Sequence, residues 1–465
     1  MDFLIVLGAL AFLMFVAYRG YSVILFAPIA AMGAVLFIDP NLVAPMFTGL
    51  FMDKMVGFVK NFFPVFLLGA VFGKVIEMSG FSKSIVASVI KMIGSERAIL
   101  SIVIVCALLT YGGVSLFVVV FAVYPFAAEM FRQGNIPKRL IPGTIALGAF
   151  TFTMDSLPGT PQIQNIIPTT FFKTNIYAAP WLGIIGAIFI FIVGMAYLES
   201  ARRRAAKAGE GYGEGHTNEP EPVSAEKLVH PAIAILPLIM VGVMNKVFTN
   251  AIPLLYGDKV EFNAAVIGNA HPVIQQTKAV AAIWAVEGAL LIGIATVFVF
   301  GWKMVAAKFG EGSKSAIGGA LLATMNTASE YGFGAVIAAL PGFLVVANAL
   351  SSIPNPLINE AITVTSLAGI TGSASGGMGI ALAAMADTFI ANANAAGIPL
   401  EVFHRVASMA SGGMDTLPHN GAVITLLAVT GLTHRQSYKD IFAITCIKTM
   451  AVFVIIGTFY ATGIV

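Results

Sequence analysis

The stretch "MDSLPGT" at residues 154–160 recurs 260 residues later as "MDTLPHN" at residues 414–420. Both copies place an aspartate, a proline and small polar residues within a run that is otherwise apolar. Proline removes a backbone donor and disfavours helical structure at the residue before it. We therefore predict that each copy interrupts a membrane-embedded helix, over 140–175 in the first half of the chain and over 403–432 in the second.

The composition around these stretches is that of an integral membrane protein. Of the 465 residues, 58% are hydrophobic and only 11% are charged, whereas soluble domains carry roughly 25% charged residues. A helix that spans a bilayer needs about 20 apolar residues. Further apolar runs of spanning length occur at 2–18, 21–38, 59–78, 178–198, 231–249, 279–302, 317–340 and 440–462. The sequence thus predicts an all-α polytopic membrane protein with about 10 transmembrane helices.

Two other apolar segments, 97–131 and 361–395, are broken near their centres by small residues. The breaks read "TYGGVS" at 110–115 and "TGSASGGMG" at 371–379. Each arm is short for a membrane span, so the pattern predicts two re-entrant helical hairpins that turn at their glycines.

Other matches between the halves indicate an internal duplication. "FGKVIEMSGF" at 72–81 corresponds to "FGAVIAALPGF" at 333–343, and "GNIP" at 134–137 corresponds to "AGIP" at 396–399. All the matches keep the same order and nearly the same shift. Each half then has five crossings and one hairpin, so the second half enters the membrane in the opposite orientation. Inverted repeats with interrupted helices are typical of secondary transporters, which hold substrate near the bilayer midplane at the breaks.

The polar segment 199–229 is rich in charge, glycine and proline, which predicts a solvated linker between the halves. The positive-inside rule places its arginines in the cytoplasm and both chain termini on the outer side. Arg405 then falls among the sparse cations on the outer side. In this orientation we expect a multi-pass protein of the bacterial inner membrane.

The segments "TYGGVSLFVVVFAVYP" (110–125), "TMDSLPGTPQIQNIIPTTFF" (153–172) and "SGGMDTLPHNGAVITLL" (411–427) resemble the gluconate permease family of the ion transporter superfamily. Members of that family are proton symporters for gluconate and similar hydroxy acids, D-serine or 3-hydroxybutyrate. The resemblance implies a homodimer in which a transport domain moves against a scaffold as an elevator.

On the same grounds we expect scaffold helices at 1–95 and 230–355. The two halves of the transport domain then occupy 96–198 and 356–465. Two segments, 81–94 and 342–353, follow equivalent helices and are too short to cross the membrane. Either they are arm helices that join scaffold to transport domain, with the first lying at the membrane interface, or they extend the preceding helix.

The hairpin tips and the interrupted helices supply the candidate substrate-binding residues. The tips contribute Thr110, Tyr111, Gly112, Gly113, Ser115, Thr371, Gly372, Ser373, Ser375 and Gly376. The interrupted helices contribute Ser156, Gly159, Thr160, Gln162, Gln164, Asn165, Thr416, His419 and Asn420. Half-helix N-termini and hydroxyl groups suit a carboxylate. The alternative is that the small tip residues serve tight packing of the hairpins.

Three acidic residues at membrane depth are candidates for proton coupling, namely Asp155, Asp415 and Glu330. Acidic groups are costly within a membrane unless they are paired, protonated or engaged in capping. The two aspartates either carry protons or cap the half-helices that follow them. Glu330 either carries a proton or makes a buried polar contact between scaffold helices or subunits.

Together these features predict a proton-coupled symporter for a small hydroxylated monocarboxylate. Few fixed cations are evident near the breaks, which favours a monocarboxylate over a dicarboxylate. The alternatives are a sodium-coupled carrier or a cation/proton exchanger and, less favoured, a channel. The sequence contains no recognisable nucleophile–base set, metal cluster or phosphate loop, so we expect no enzymatic activity and no cofactor. The expected partners are the carboxylate, protons, lipid and a second copy of the chain, and not nucleic acid.

Overall fold

The computed structural model describes residues 2–19, 21–220, 228–262, 273–343, 345, 353–418 and 420–465. These residues form the all-α polytopic membrane fold that the sequence predicts. The helices of the first half are α1 (Asp2–Tyr18), α2 (Val23–Ile38), α3 (Pro40–Met78), α4 (Phe81–Ile93), α5 (Ala98–Tyr111), α6 (Leu116–Gln133), α7 (Leu140–Ala149), the single turn α8 (Phe152–Asp155), α9 (Ile163–Phe172) and α10 (Pro180–Lys207).

The second half repeats this order. Its helices are α11 (Pro231–Tyr256), α12 (Thr277–Ala306), α13 (Phe309–Ala339), α14 (Pro356–Thr371), α15 (Ala374–Ala396), α16 (Leu400–Ser411), α17 (Gly421–Thr430) and α18 (His434–Thr462). A short antiparallel hairpin of β1 (Lys259–Phe262) and β2 (Val273–Gln276) lies between α11 and α12.

Within the described part of the chain, six helices are long and apolar enough to cross a bilayer: α3, α10, α11, α12, α15 and α18. Several of these helices expose large apolar side chains, of which Leu254 on α11 is 86% exposed and Val299 on α12 is 74% exposed, whereas α15 is mostly buried. Exposed apolar side chains are what a lipid-facing surface requires. The total of ten crossings stays a prediction.

Helical hairpins form at both predicted positions, and each turns at its glycines. The arm α15 has 23 residues and is long enough to cross a bilayer, so the expectation that each arm is short is wrong there. That the hairpins are re-entrant stays a prediction. The first hairpin joins α5 to α6 through Gly113, whose φ is +94°. The second joins α14 to α15 through Gly372, whose φ is +64°, and Ser373 caps α15 by accepting a hydrogen bond from the Gly376 N–H at 3.0 Å. Positive φ favours glycine because a Cβ would clash there.

Both predicted interruptions also form. We name residues 150–162, between α7 and α9 and including the single turn α8, Break 1, and residues 412–420, between α16 and α17, Break 2. The half-helices before the breaks, α7 and α16, are buried along almost their whole length, and most of α9 is buried, whereas α17 is buried on one face only. The freed backbone groups of both breaks therefore lie inside protein, as required of irregular backbone at membrane depth.

The helices pack as two interleaved groups. One contains α1–α3 and α11–α13, in which α3 packs along α13 and α11 along α12. The other contains α5–α10 and α14–α18. In this second group the repeats interlock, because α9 of the first repeat packs on α16 of the second, α17 packs on α6 and α7, and α10 lies beside α18.

The predicted arm at 81–94 is a separate helix, α4, and not an extension of α3. Gly80, with φ of +72°, divides the two helices. One face of α4 is buried through Phe81, Ile85 and Val89, and the helix contacts α3, α11, α5 and α6. It therefore touches both helical groups. The second predicted arm, at 342–353, falls almost wholly outside the described residues.

The predicted linker at 199–229 is less free than its composition indicates. Its first residues continue α10 as far as Lys207. Further on, Glu219 accepts hydrogen bonds from Lys138 at 2.7 Å and from Arg132, and Asn218 donates to the carbonyl of Ala428 at 2.9 Å. Ion pairs and backbone contacts thus fasten the described part of the segment to the ends of α6, α7 and α17.

Candidate functional site

The backbone of Break 1 is held by side chains from the second repeat. Arg405 on α16 is 0% exposed and donates to the carbonyl of Asp155 at 3.0 Å, to that of Ala178 at 2.7 and 3.1 Å, and to Asn165 Oδ1 at 3.0 Å. Ser408 on the same helix also donates to the Asp155 carbonyl, at 2.8 Å. Arg405 therefore satisfies carbonyl groups that the interruption has freed from helical bonding.

The Asp155 carboxylate is buried at the meeting point of the two breaks. It accepts a hydrogen bond from Ser156 Oγ at 2.7 Å, and it lies so close to Gly412 of Break 2 that a Cβ there would collide with it. The charges that act on it are those of Lys448, Asp415 and Arg405. Asp155 does not cap the following half-helix, because α9 begins after Gln162 and has no side-chain cap.

Asp415, its counterpart in Break 2, forms a buried ion pair. Lys448 on α18 donates to Asp415 Oδ1 at 2.5 Å and to the carbonyl of Phe150, at the end of α7, at 3.2 Å. The Lys448 side chain is almost fully buried, so this pair is largely desolvated. The position equivalent to Lys448 in the first repeat is Ile188. Only Break 2 therefore has its own lysine.

In each repeat an amide side chain ties the break to the adjacent hairpin tip. Gln162 donates to the carbonyl of Thr110 at 2.7 Å, and Asn420 donates to the carbonyl of Gly372 at 2.7 Å. Tyr111 adds a bond to the carbonyl of Pro158 at 2.9 Å. The structure therefore joins each predicted tip to the predicted break of its own repeat.

The two half-helices that follow the breaks begin differently. Asn420 caps α17 by accepting from the Val423 N–H at 2.9 Å, whereas no side chain caps α9. Two buried oxygens near the α9 end, Thr110 Oγ1 and Gln164 Oε1, have no hydrogen-bond partner among the residues that the structure describes. A helix N-terminus attracts anions, and unpaired buried polar atoms are costly. This end of α9, with the first hairpin tip, is thus suited to a small polar anion.

The hairpin tips also face the other helical group. Gly112 lies against Leu238 of α11, and Gly113 lies near Leu290 of α12 and Phe72 of α3. At the second tip, Ser375 is 3.1 Å from Thr327 Oγ1 of α13. Small residues at these positions permit a close approach between the two groups.

Glu330 of α13 is buried against the second hairpin tip. Its Oε2 lies directly against Gly376, where there is no space for a Cβ, and this oxygen has no hydrogen-bond partner. The contact lies between the two helical groups. Both predicted roles of Glu330, proton carrier and buried polar contact, are compatible with this position.

The other candidate residues serve the local structure of the tips and breaks. Thr160 donates to the carbonyl of Thr153, Thr371 to that of Leu367, and Thr416 shares a hydrogen bond with Thr445. Gly159 has a φ of +84°, and Ser115 precedes the first turn of α6. His419 lies outside the described residues.

The structure corrects the expectation that few fixed cations lie near the breaks. Arg405, expected on the outer side, is buried beneath Break 1, and Lys448 is buried beside Break 2. The two cations face two carboxylates, Asp155 and Asp415. When both carboxylates are ionised, their charges balance, so these four groups leave no spare positive charge for a substrate with two anionic groups.

Two functional candidates escaped the sequence analysis. The positive-inside rule placed Arg405 on the outer side of the membrane, and nothing in the sequence indicated that it donates hydrogen bonds to backbone carbonyl groups near Break 1. Glu360 stands directly before the predicted hairpin segment 361–395, but α14 begins at Pro356 and so includes Glu360 as a buried residue. An acidic residue at the edge of an apolar run was the available signal.

Two cavities border the second helical group rather than the breaks. One, of about 250 Å³, lies between α3, α9 and α13, and Asn61, Thr170 and Tyr331 are in its wall. The other, of about 630 Å³, opens at the ends of α14, α15 and α18.

Comparison with known proteins places the chain among transporters. It is 60% identical over 474 residues to a Bacillus subtilis (strain 168) protein described as the uncharacterized transporter YxjC, and the match covers 100% of both chains. No protein-family model matches the chain. The crystal structure of the Alcanivorax borkumensis YdaH transporter, described as having an unusual topology, is similar with a TM-score of 0.51. At 13% identity, covering 89% of this chain and 88% of that one, it shows a shared fold alone.

Proposed function

The chain belongs to the family of the Bacillus subtilis transporter YxjC, and from that premise we propose that it is a proton-coupled symporter of a small hydroxy monocarboxylate. Gluconate and 3-hydroxybutyrate represent the substrate class, as the resemblance to gluconate permeases implies. The protein would act in the bacterial inner membrane, with both termini on the outer side, as a homodimer.

The observation that carries this proposal is the end of α9 beside the first hairpin tip. The helix has no side-chain cap, and the unpartnered Thr110 Oγ1 and Gln164 Oε1 lie buried beside it. The helix N-terminus suits a carboxylate. The hydroxyl of Thr110 and the carbonyl of Gln164 supply a donor and an acceptor for a substrate hydroxyl group.

The charge balance at the breaks supports a singly charged substrate. Asp155 and Asp415 offset Arg405 and Lys448, so one carboxylate that enters with one proton leaves the site electrically neutral. A dicarboxylate would add a second charge that these four groups do not balance, at a high cost in a low-dielectric site.

The arrangement of the two helical groups supports an elevator mechanism. The α1–α3 and α11–α13 group would be the scaffold, and the α5–α10 and α14–α18 group would be the transport domain. Both hairpin tips meet the scaffold through small residues, namely Gly112, Gly113, Ser375 and Gly376. Contacts of this kind permit one group to slide past the other with few large side chains to dislodge.

The test is uptake of radiolabelled gluconate, lactate, 3-hydroxybutyrate and D-serine into proteoliposomes. We expect an inward proton gradient to drive accumulation of at least one hydroxy monocarboxylate, whereas a sodium gradient at equal pH does not. Uptake driven by sodium alone would contradict the coupling assignment. Equilibration without accumulation under either gradient would indicate a channel.

A further inference from the structure

Another buried carboxyl group, that of Glu360, lies on α14 in the first arm of the second hairpin. Its side chain is 0% exposed, and within the described part of the chain neither Oε1 nor Oε2 has a hydrogen-bond partner. The equivalent residue of the first repeat is Ile99, so the fold itself does not require an acid at this position. An isolated buried carboxylate is so costly that the group instead holds a proton.

The helices packed against α14 bring no ionised partner to Glu360. They are α1, α15, α16 and α18. Their described titratable and charged groups are exposed, half-buried or engaged elsewhere: Asp2, Asp387, Glu401, His404, Arg405, His434, Arg435, Tyr438, Lys439, Asp440, Cys446, Lys448 and Tyr460. Among the described residues no charge acts on Glu360, and burial is the one influence on it.

The larger of the two cavities brings solvent close to Glu360. This cavity, of about 630 Å³, lies where α14 and α15 meet the end of α18, and Pro356, Ala396 and Tyr460 are in its wall. Pro356 and Glu360 are four residues apart and so share one face of α14. One helical turn, about 5.4 Å, therefore separates the wall of the cavity from the residue that bears the carboxyl.

We propose that Glu360 is a proton-binding site loaded from this cavity. A hydronium ion gives its proton to a carboxylate oxygen of Glu360, which forms an O–H bond and leaves a water molecule. The inference rests on the proposed symport in assigning this proton to the transport cycle. In the proposed orientation the cavity opens on the outer side, which is where an inward symporter takes up its proton.

The first experiment asks whether Glu360 carries a proton, with no substrate present. Infrared difference spectroscopy of the full-length protein in lipid, recorded over a pH series, detects the carbonyl stretch of a buried carboxylic acid. We expect a band whose intensity changes with pH and which Glu360→Gln removes. Glu401→Gln, a change of an exposed acid at the start of α16, is the matched control and leaves the band intact. A wild-type spectrum unchanged by Glu360→Gln would overturn the proposal.

The second experiment asks whether that proton is coupled to transport. In proteoliposomes we expect Glu360→Gln to reduce accumulation driven by a proton gradient at least tenfold, while exchange of labelled for unlabelled substrate at equal pH continues. Glu360→Asp keeps an acidic group and restores part of the accumulation, and it also serves if the glutamine variant does not fold. Undiminished gradient-driven accumulation by Glu360→Gln would overturn the proposal. If the wild type transports none of the probes, the symport proposal fails, while the infrared result still decides whether Glu360 is a proton site.

Discussion

Break 1 and Break 2 derive from the same sequence motif, yet they are stabilised in different ways. Break 2 is held by its own repeat, through the ion pair of Asp415 with Lys448 and the cap that Asn420 gives to α17. Break 1 is held by a residue of the other repeat, because Arg405 donates hydrogen bonds to the carbonyl of Asp155 and to that of Ala178 in the loop before α10. Its half-helix α9 begins without a side-chain cap.

This difference indicates that the two breaks have different roles. The ion pair and the helix cap of Break 2 stabilise its backbone, whereas the uncapped helix end and the unpartnered oxygens beside Break 1 can bind a ligand. Among the described residues, the buried acids with carboxyl oxygens that lack a hydrogen-bond partner are Glu330 and Glu360. Both lie in the second repeat, and their first-repeat equivalents are Gly69 and Ile99. We therefore expect the anion at the first break and the protons around the second hairpin.

The largest expected effect is that of breaking the ion pair of Break 2. Asp415→Asn leaves the buried ammonium group of Lys448 without its carboxylate, and we expect a loss of about 3–5 kcal/mol of unfolding free energy together with the loss of transport. Asp155→Asn keeps its bond with Ser156 and leaves no directly bonded cation behind, so about 1–2 kcal/mol is expected. Denaturant titration of the purified variants measures both.

The double variant Asp415→Asn with Lys448→Met is the control for that prediction. Removing both charges should recover most of the lost stability, because the buried charge is no longer left alone. Equal losses in Asp415→Asn and Asp155→Asn would show that the two breaks are not supported differently.

An intermediate effect is expected from the amides that tie breaks to tips. Asn420→Leu removes both the cap of α17 and the bond to Gly372, which should cost about 2–3 kcal/mol. Gln162→Leu removes the bond to Thr110 but no cap, and about 1 kcal/mol is expected. For substrate affinity we expect the opposite order, with the larger loss in Gln162→Leu, because Gln162 lies at the proposed anion site. Ligand-induced thermal stabilisation measures this affinity. A greater loss of affinity in Asn420→Leu would place the anion at Break 2 instead.

The smallest loss of stability is expected from Glu219→Gln, in the linker segment that contacts α17 and not α9. Burial alone would raise the pKa of Glu219, but hydrogen bonds from Lys138, Arg132 and Tyr212 outweigh it and hold the pKa below its ordinary value. The stabilisation is therefore complete above the ordinary glutamate pKa of about 4.3 and is lost as the pH falls through the lowered value. Because Glu219 and Arg132 are partly exposed and solvent screens their charges, Glu219→Gln should cost only about 0.5–1 kcal/mol at neutral pH.

The difference between Glu219→Gln and wild type should disappear in strongly acidic buffer, where Glu219 is protonated in both the folded and unfolded states. A difference that persists unchanged at low pH would show that the carboxylate charge does not stabilise the linker.

Much of the fold could be predicted because local chemistry decides it. Proline and glycine both disfavour helix, and their clustering with polar residues at the two breaks and the two hairpin tips marked those positions in the sequence. Isolated prolines such as Pro28 and Pro64 stay within helices. The side chains that bind the Asp415 carboxylate and the Asp155 carbonyl could not be predicted from the sequence. Lys448 and Arg405 reach them through tertiary packing between separate helices, which follows no sequence period. Glu360 was missed because the start of α14 lies several residues before the apolar run.

The central claim is that substrate and proton move together through this protein. Proteoliposomes that contain a trapped pH indicator, with no imposed gradient of pH or sodium, measure this directly when gluconate or 3-hydroxybutyrate is added outside. Our account predicts that the lumen acidifies as labelled substrate enters, and that Glu360→Gln abolishes the acidification. Entry of substrate into wild-type vesicles without any change in lumenal pH would contradict it.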